Sequence, residues 1–417
     1  MKCNKVPFIP LRRLVLLNPP VKLPESGEVE YLPMDRIKNG YYEHQSSEIS
    51  NLPKSLSAFS EGDILLAKVT PCFENGNLCI AKELTNNVGV GSTELFVLRI
   101  VSSLILPDYL LFLFQQDRFK SAAVSEMRGT GGLKRIPPEW LLSYKFPVPS
   151  LEVQKEIVNR LNTKLSIASV LSQKLSDKRE LLEAVQESLV TRLVTKGLDL
   201  NVPMKDSGIP WIGEIPAHWR VTSIGMVCDN IRDGTHFSPK VQSDGYAYIT
   251  AEDIHGEGLD LDKAKKISEE DFLRLVRENC KPAKGDVLLV KDGATTGRSG
   301  LMINDLDCVT LSSVAMLTPK KELIRSRYLR YMLDSSLLQY QIKMTMFGSA
   351  MPRTTLTRLS RYLVLLPPLD EQQAIETFCY QKIDLINKAS QRIQEQIDKL
   401  QEYRSSFISA AFHEELA

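Results

Sequence analysis

The sequence predicts an α+β protein with two similar globular domains in a pseudo-twofold repeat, separated by two long helices packed as an antiparallel coiled coil. Three observations lead to this fold class. The same short motifs occur in the same order in both halves of the 417-residue chain, and each half ends in a heptad pattern of apolar residues. The segments before each heptad pattern mix β-type runs, such as ELFVLRI, with helical stretches such as 107–127.

The internal repeat rests on three pairs of motifs. GDILLAK at 62–68 matches GDVLLVK at 285–291, and YLPMDRI at 31–37 has a weaker counterpart in YITAEDI at 248–254. FPVPSLEVQKEI, which ends at Ile157, matches LLPPLDEQQAI, which ends at Ile375, and this alignment continues without a gap to Leu198 and Leu416. We conclude that one unit, a globular domain followed by a helix, occurs twice.

Both matched segments carry a heptad pattern, which is typical of a coiled-coil seam. We predict helix-helix packing for Leu161, Ala168, Leu175, Leu182 and Leu189 in the first segment and for Ile386, Ile393, Leu400 and Phe407 in the second. Further apolar residues join the two patterns: Leu165, Leu171, Val185 and Leu193 in the first segment and Cys379, Ile383, Ile397 and Ala411 in the second. Because a helix with one apolar stripe is not stable alone in water, each helix needs a partner, and the economical partner is the other helix.

Prolines and a glycine mark the predicted boundaries. Pro147 and Pro149 precede the first helix, Pro367 and Pro368 precede the second, and Gly197 stands where a C-terminal cap is expected. We therefore predict a first globular domain at 1–148, a central helix at 149–198, a connector plus second globular domain at 199–366, and a C-terminal helix at 367–417.

The chain carries no recognisable catalytic or metal-binding motif. Its five histidines have no triad or ligand spacing, its seven cysteines are dispersed, and Gly293, Gly297 and Gly300 lack the Gly-Lys-Ser/Thr of a phosphate-binding loop. Asp286 and Lys291 have no Glu two residues before the lysine, which argues against a metal-dependent nuclease. With no signal peptide pattern and no apolar run long enough to span a membrane, we expect a cytoplasmic protein.

Basic residues are concentrated in two windows just before the long helices, although the whole chain has a net charge of only +1. Within these windows RGTGGLKRI at 128–136 aligns with FGSAMPRTT at 347–355. Small residues permit a close approach of backbone N–H groups to phosphate, and Lys134, Arg135 and Arg353 add charge. A solvated helix face and a glycine turn before a strand are the structural alternatives.

A second candidate segment is IRDGTHFSPK at 231–240, in the second globular domain. It combines a turn with the hydroxyl of Thr235, the imidazole of His236 and the amine of Lys240. These groups suit contacts to base edges or phosphates. Alone, the segment is a weak signal.

Taken together, the motifs resemble the DNA-specificity subunit of type I restriction-modification systems. The resemblance rests on SGIPWIGEIPAHW before the second globular domain, on DGTHFSPK and KGDVLLVKDGATTG within it, and on LLPPLDEQQAI before the last helix. The first half repeats the later signatures as EGDILLAK and FPVPSLEVQKEI. One departure is CNKVPFIPLRRL, which stands before the first domain where the family usually has Trp-Ile-Gly-Glu-Ile-Pro.

The resemblance implies a noncatalytic reader of double-stranded DNA. Each globular domain would be a target recognition domain for one half of an asymmetric, bipartite site, and the paired helices would set the gap between the half-sites. The implied partners are two methyltransferase subunits and restriction/translocase subunits. The chain itself would need no cofactor, whereas the partner subunits would use S-adenosylmethionine, ATP and Mg.

Other functions remain open at this point. A specificity subunit of a related non-type-I restriction system has the same features and differs only in its partners. A coiled-coil interaction protein without DNA recognition explains the helices but not the two repeated globular domains. A single-chain restriction enzyme or methyltransferase would need a cofactor loop or a nuclease triad, and the sequence has neither.

Overall fold

A computed structural model of the chain describes residues 6–130, 132–346 and 352–416, with side chains described through residue 412. The chain divides into two compact units. The first unit comprises Met1–Ser176 and Gln394–Ala417, and the second comprises Asp177–Ile393. Each long helix therefore contributes one end to each unit. None of the helices in the described ranges is long and apolar enough to cross a membrane.

The first unit contains two four-stranded sheets and a short two-stranded sheet. Its strands are β1 Phe8–Pro10, β2 Val15–Leu17, β3 Glu28–Leu32, β4 Ser46–Glu48, β5 Ser57–Ser60, β6 Ile64–Ala67, β7 Leu78–Ile80, β8 Val88–Gly91, β9 Leu95–Ile100 and β10 Lys145–Pro147. One sheet has the order β2-β9-β6-β7 and is antiparallel throughout, and the other has the order β4-β3-β8-β5 with a parallel β3–β8 pair. Strand β1 pairs with β10 just before the first long helix.

The second unit repeats this arrangement. Its strands are β11 Met204–Asp206, β12 Glu214–Pro216, β13 Arg220–Ser223, β14 Cys228–Asp233, β15 Tyr246–Ile249, β16 Ile254–His255, β17 Gly258–Leu259, β18 Lys265–Ile267, β19 Val287–Val290, β20 Ser299–Leu301, β21 Cys308–Thr310, β22 Val314–Pro319 and β23 Leu363–Leu366. The order β14-β22-β19-β20 corresponds to β2-β9-β6-β7, and the parallel β15–β21 pair corresponds to β3–β8. Strands β13 and β23 pair as β1 and β10 do.

The helices follow the same repeat. They are α1 Pro107–Gln115, α2 Asp117–Glu126, α3 Pro138–Ser143, α4 Leu151–Lys196, α5 Ile224–Val227, α6 Glu269–Arg277, α7 Ser326–Asp334, α8 Ser336–Thr345, α9 Leu356–Leu359 and α10 Leu369–Leu416. The α1–α2 pair corresponds to α7–α8, and α3 corresponds to α9. The α1–α2 pair lies in the first core and the α7–α8 pair in the second, each beside the inner strands of the antiparallel sheet.

The repeated Gly-Asp motif has a structural cause in the turn before β6 and before β19. Gly62 and Gly285 have positive φ angles of 85° and 93°, which glycine adopts without strain. The next residues, Asp63 and Asp286, are each 1% exposed. Each carboxylate accepts a hydrogen bond from the backbone N–H three residues earlier, at 2.8 Å from Ser60 and 3.0 Å from Ala283. The motif therefore closes the same turn in both units.

The repeated glutamine before each long helix also has a fixed role. Gln154 and Gln372 are fully buried. Gln154 donates from Nε2 to the carbonyls of Leu104 and Pro149, and its Oε1 accepts from the N–H of Leu106. Gln372 makes the same three bonds with the corresponding residues, Leu323, Pro367 and Arg325. Each glutamine thus ties the first turn of its long helix to the segment that leads into α1 or α7.

Helices α4 and α10 pair in both units and run in opposite directions. In the first unit the start of α4 packs with the end of α10: Leu161 and Ile408 share one core, and Arg160 donates to the carbonyl of Ala411 at 3.2 Å. In the second unit the end of α4 packs with the start of α10, where Leu193 and Cys379 share a core. The fold class predicted from the heptads and the repeat is confirmed, with the helices antiparallel.

The seam along α4 differs in one detail from the predicted one. Leu161 is fully buried and Leu175, Leu182 and Leu189 are partly buried, as is Ala168. Leu171 and Val185, however, are 45% and 47% exposed, so their inclusion in the seam was wrong. The second row of buried side chains on α4 lies four residues after each heptad position. Leu171 and Val185 lie three residues after a heptad position, so their side chains fall outside the buried stripe. On α10, Ile393 is buried, and Ile386, Leu400 and Phe407 are partly buried.

Candidate nucleic-acid interface

The basic loop at 128–136, before α3, is hydrogen-bonded to the backbone segment that follows strand β6. The backbone N–H of Thr70 donates to the carbonyl of Lys134 at 2.9 Å, and the N–H of Ile136 donates to the carbonyl of Lys68 at 2.9 Å. Arg128 and Arg135 pair across the loop through two backbone hydrogen bonds of 2.9 and 2.8 Å. These bonds hold Lys134 and Arg135 beside Lys68, the last residue of the GDILLAK motif.

The second unit has the same arrangement after strand β19. The N–H of Gly293 donates to the carbonyl of Pro352, and the N–H of Thr354 donates to the carbonyl of Lys291, both at 2.9 Å. Arg353 lies between these two bonds and therefore takes the position that Arg135 has in the first unit. Lys291 takes the position of Lys68. We call the two sites the loop crossings; the first five residues of FGSAMPRTT, 347–351, lie outside the described residues.

In the first loop crossing, Arg135 is held by a carboxylate. Its Nε and Nη2 donate to the two oxygens of Glu94 at 2.9 and 2.7 Å, and its side chain remains 47% exposed. The hydrogen bond from Arg135 lowers the pKa of Glu94 below its ordinary value. Lys68 donates from Nζ to the carbonyl of Thr93, and Lys134 is exposed. Two cations thus face solvent, one of them oriented by a bidentate pair.

In the second loop crossing, the charges form a chain. Lys291, only 8% exposed, lies between Asp233 and Asp292, with Nζ to carboxylate distances of 3.4 and 3.1 Å. Asp292 lies 4.0 Å from Nε of Arg353, and Asp233 lies 3.9 Å from Nε2 of His236. The exposed ends of this chain are Arg353 and His236, with side chains 50% and 80% exposed. The buried lysine orients both carboxylates, which in turn face the exposed guanidinium of Arg353 and the exposed imidazole of His236.

The segment 231–240 contributes unequally to this site. His236 reaches the charge chain, and Lys240 is exposed. Thr235 is 4% exposed, and its hydroxyl oxygen accepts from the N–H of Phe237 at 2.9 Å. Its backbone N–H donates to the carbonyl of Thr310. Thr235 therefore shapes the loop, and a DNA contact from its side chain stays a prediction, as do those from the other five candidates.

Sequence reasoning did not select Lys68, Glu94, Asp233 or Asp292 for this site. The signal for the two lysines was present, because Lys68 and Lys291 end the two copies of the Gly-Asp motif. No sequence signal marks Glu94, which lies in the turn before β9, whereas Asp233 at the end of β14 and Asp292 after β19 belong to the motifs DGTHFSPK and KGDVLLVKDGATTG. Asp286 and Lys291, considered together above as nuclease residues, have different partners in the structure. Asp286 binds Arg232 at 2.9 Å, whereas Lys291 binds Asp233 and Asp292. Among the described residues, no three His, Cys, Asp or Glu side chains are grouped for a metal ion.

Comparison with known proteins identifies the family. The family model of the type I restriction modification DNA specificity domain matches the chain twice, at residues 20–177 and 216–399. The chain belongs to this family. Each match includes one loop crossing, and the sequence resemblance is thereby confirmed.

Two relatives give the scale of the similarity. The EcoAI specificity subunit of type I restriction enzymes from Escherichia coli is 32% identical over 187 residues, which is 44% of this chain and 32% of that protein. The match therefore spans about a third of the length of that relative. The MjaVIII specificity subunit from Methanocaldococcus jannaschii is 25% identical over 295 residues, 69% of this chain and 67% of that protein.

Among solved structures, one chain resembles this specificity-family protein along its whole length. It comes from work on the structural basis of complex assembly and conformational transition of the type I R-M system. The TM-score is 0.68 at 19% identity, with 98% of each chain covered. At this identity the likeness concerns the fold alone, and it agrees with two repeated α+β units and two long helices.

Proposed function

We propose that this protein is the noncatalytic DNA-reading subunit of a type I restriction-modification complex in the cytoplasm, and that each unit reads one half of an asymmetric, bipartite site. The observation that carries the proposal is the repeated loop crossing. The same backbone bonds present Lys68 with Arg135 in one unit and Lys291 with Arg353 in the other. Two copies of one cationic site suit two segments of a duplex.

The different partners of the two arginines support different half-sites. Arg135 is oriented by Glu94, whereas Arg353 lies at the end of a chain that includes Asp292 and Lys291. Arginine reads guanine edges and phosphates, and carboxylates accept hydrogen bonds from cytosine amino groups. Two equivalent sites with different acidic neighbours would therefore prefer different bases. An asymmetric target follows from this difference.

The long helices support a spacing role and a docking role. Helix α4 has 46 residues and α10 has 48, so each is about 70 Å long at roughly 1.5 Å per residue. That length exceeds one turn of DNA, which is about 34 Å. Helix α4 also exposes apolar side chains that a partner subunit would cover: Ile167, Val170, Leu171, Leu181 and Val185.

Catalysis would belong to the partners. We propose that two methyltransferase subunits dock on the chain and use S-adenosylmethionine, and that restriction/translocase subunits use ATP and Mg. The chain itself would bind duplex DNA and need no cofactor. Its contribution to the reaction would be to place the partners at one site on the duplex.

Methylation mapping tests this function. DNA from cells that contain the chain with its methyltransferase partner is compared with DNA from cells that lack only the chain. We expect a methylated bipartite sequence that disappears when the chain is absent. An unchanged methylation pattern would contradict the proposal and favour an interaction protein without DNA recognition.

The spacing role has its own test. Insertion of seven residues near Leu175, with a matched insertion in the facing part of α10, preserves the heptad register and lengthens both helices. We expect the same two half-sites with a longer gap between them. A gap of unchanged length would refute the spacing role while leaving the reading role intact.

A further inference from the structure

A hairpin in the second unit is tied to helix α7 by a network of charged side chains. Glu257, in the turn between β16 and β17, accepts hydrogen bonds from Arg330 at 2.5 Å, Arg327 at 3.0 Å and the hydroxyl of Tyr331 at 3.0 Å. Arg330 is 5% exposed and also binds Asp334 at 2.8 Å. Two carboxylates and two guanidinium groups balance, so this junction is electrically neutral.

The corresponding hairpin of the first unit lacks the carboxylate of Glu257, and its nearby cations come from α2 and α10 rather than from the helix that corresponds to α7. The hairpin after β3 has the same number of residues as the hairpin after β15. In the first, Ile37 forms a backbone bridge with Tyr42, and in the second, Ile254 pairs with Leu259. By this count, Gly40 stands where Glu257 stands in the second unit. A side-chain carbon at Gly40 would lie 3.1 Å from Nε2 of Gln115 and 3.2 Å from Nη2 of Arg404.

A cavity of about 330 Å³ lies at this junction in the first unit. Polar side chains from the hairpin, from α1 and α2 and from the end of α10 surround it. The lining residues are Asn39, Asn75, Gln115, Lys120, Gln401, Arg404, Ser405 and Ile408. The lining therefore contains two cations, four amides, one hydroxyl and no carboxylate.

The positive charges of Lys120 and Arg404 are only partly balanced by negative charge nearby. Burial lowers the pKa of Lys120, and the charge of Arg404 lowers it further, while Asp117 raises it. Burial also lowers the pKa of Arg404. Among the described residues Lys120 Nζ has no hydrogen bond, and Asp117 accepts a hydrogen bond from Ser405 at 3.0 Å. The junction holds one more positive charge than negative charge.

Polar atoms at the same place lack partners within the described residues. Arg404 donates from Nη2 to the carbonyl of Asn39 at 2.9 Å, but its buried Nε has no acceptor. Gln115 is 2% exposed and donates to Asn39 Oδ1 at 2.7 Å, while its Oε1 is unpaired. A buried donor without an acceptor destabilises the folded state. An acceptor group in the cavity would relieve part of this destabilisation.

We propose that the cavity between the 37–42 hairpin, α2 and α10 binds an oxyanion of the phosphate class, which takes the structural place of Glu257. A phosphate group offers several acceptor oxygens, and arginine and lysine bind such groups strongly. The amides of Asn39, Asn75 and Gln401 supply further donors. The anion would fasten the end of α10 to the first globular domain through Arg404. This site is separate from the loop crossings, and the proposal does not depend on DNA reading.

Thermal unfolding of the full chain tests the proposal with two sources of phosphate. One arm titrates inorganic phosphate in a phosphate-free buffer, with sodium chloride adjusted to constant ionic strength. The other arm titrates a short DNA duplex under the same conditions. A ligand that binds only the folded chain raises the unfolding midpoint with the logarithm of its concentration, here by about 2–4 °C at concentrations several times its Kd.

Three variants make the result specific. Lys120→Met and Arg404→Met remove the two cations of the cavity, and Lys155→Met removes an exposed lysine of α4 in the same unit. We expect the phosphate-dependent shift to persist in Lys155→Met and to be lost in the other two. A shift caused only by the duplex, and lost in the same two variants, would identify a DNA phosphate as the occupant.

Gln115→Glu provides an independent check because it is isosteric. It places a carboxylate at the position that Asp334 has in the second unit, beside the two cations. We expect a higher unfolding midpoint without phosphate and a smaller phosphate-dependent shift than in the wild type. The proposal is overturned if neither ligand gives a shift that depends on Lys120 and Arg404, or if Gln115→Glu leaves the phosphate response unchanged.

Discussion

The two units bury the same aspartate and neutralise it with arginines from different strands. In the first unit, Arg99 on β9 binds both oxygens of Asp63, at 2.8 and 2.7 Å. In the second unit, Arg232 on β14 binds Asp286 at 2.9 Å. The position of Arg99 is taken there by Thr318, whose hydroxyl donates to Asp286 at 2.7 Å.

This difference separates what the repeat preserves from what it allows to change. The turn, the buried carboxylate and the strand order are the same in both units, because they set the path of the backbone. The source of the compensating charge has moved by one strand, because any arginine that reaches the carboxylate meets the electrostatic requirement. The loop crossings follow the same rule, with conserved backbone bonds and different acidic partners. Divergent binding surfaces can therefore be carried on one scaffold.

The largest effect is expected from removing the arginines of the buried pairs. Arg99→Met should lower the free energy of unfolding by about 3 kcal/mol, because it leaves a buried charge with little compensation. Arg232→Met should cost less, about 2 kcal/mol, because Asp286 keeps the hydroxyl of Thr318. Urea denaturation measures both, with the exposed Arg13→Met as the control. Equal losses would contradict a smaller penalty at Asp286, with the hydrogen bonds from Arg232 to the carbonyls of Asn279 and Lys281 included in the Arg232→Met loss.

The glutamines before the long helices should behave alike, in contrast to the arginines. Gln154→Ala and Gln372→Ala each leave one N–H and two carbonyls without their partner. We expect each to lower the free energy of unfolding by about 2–3 kcal/mol. Urea denaturation again measures the loss, and the exposed neighbour Gln373→Ala should change little. If one glutamine proved dispensable, the two junctions would not be equivalent.

These contrasts also mark how much the sequence could predict. The repeat, the heptads and the boundaries near Pro149 and Pro367 predicted the long helices and the order of the two units. Their signals are local or periodic. The order of strands and the partners of Asp63 and Asp286 depend on contacts between distant segments, which no motif records. The exposure of Leu171 and Val185 depends on which of two apolar rows faces the partner helix, and a heptad count alone did not decide it.

The candidate site was predicted in part for the same reason. Arg135 and Arg353 were found from the alignment of two basic loops, and the structure places them at equivalent backbone positions. The acidic partners Glu94 and Asp292 were not found, because carboxylates near a cationic surface have no characteristic spacing in sequence. Lys291 was considered only beside Asp286, and the fold pairs each with another residue.

Replacing the exposed cations should weaken DNA binding, with at most a small loss of stability where Arg135 is removed from its pair with Glu94. Lys134→Ala, Arg135→Ala and Arg353→Ala should each reduce the salt dependence of binding by up to about one phosphate contact, with an affinity loss of about tenfold. The two arginine variants should also lose discrimination at the bases that these side chains read. Fluorescence anisotropy at several salt concentrations measures this slope. An unchanged slope for one residue would remove it from the interface, and an unchanged slope for all three would remove the loop crossings.

The smallest effect concerns the pH dependence of the Glu94–Arg135 pair. Because the pKa of Glu94 is lowered in the folded chain, the pair stabilises the fold at neutral pH and loses this contribution as pH falls through that lowered pKa. Arg135→Met should therefore slightly lower the free energy of unfolding at neutral pH and leave it unchanged in strong acid. Urea denaturation of both proteins across this range measures the difference. A difference that grows toward low pH has the wrong sign for this pair.

The most direct test of the central claim, one unit for each half-site, is methylation mapping with variants of a single unit. Arg135→Ala and Arg353→Ala are each expressed with the proposed methyltransferase partner, and the methylated sequences are compared with those of the wild type. We expect Arg135→Ala to relax the sequence requirement of one half-site and Arg353→Ala to relax that of the other. Relaxation of the same half-site by both variants would contradict the assignment of one unit to each half.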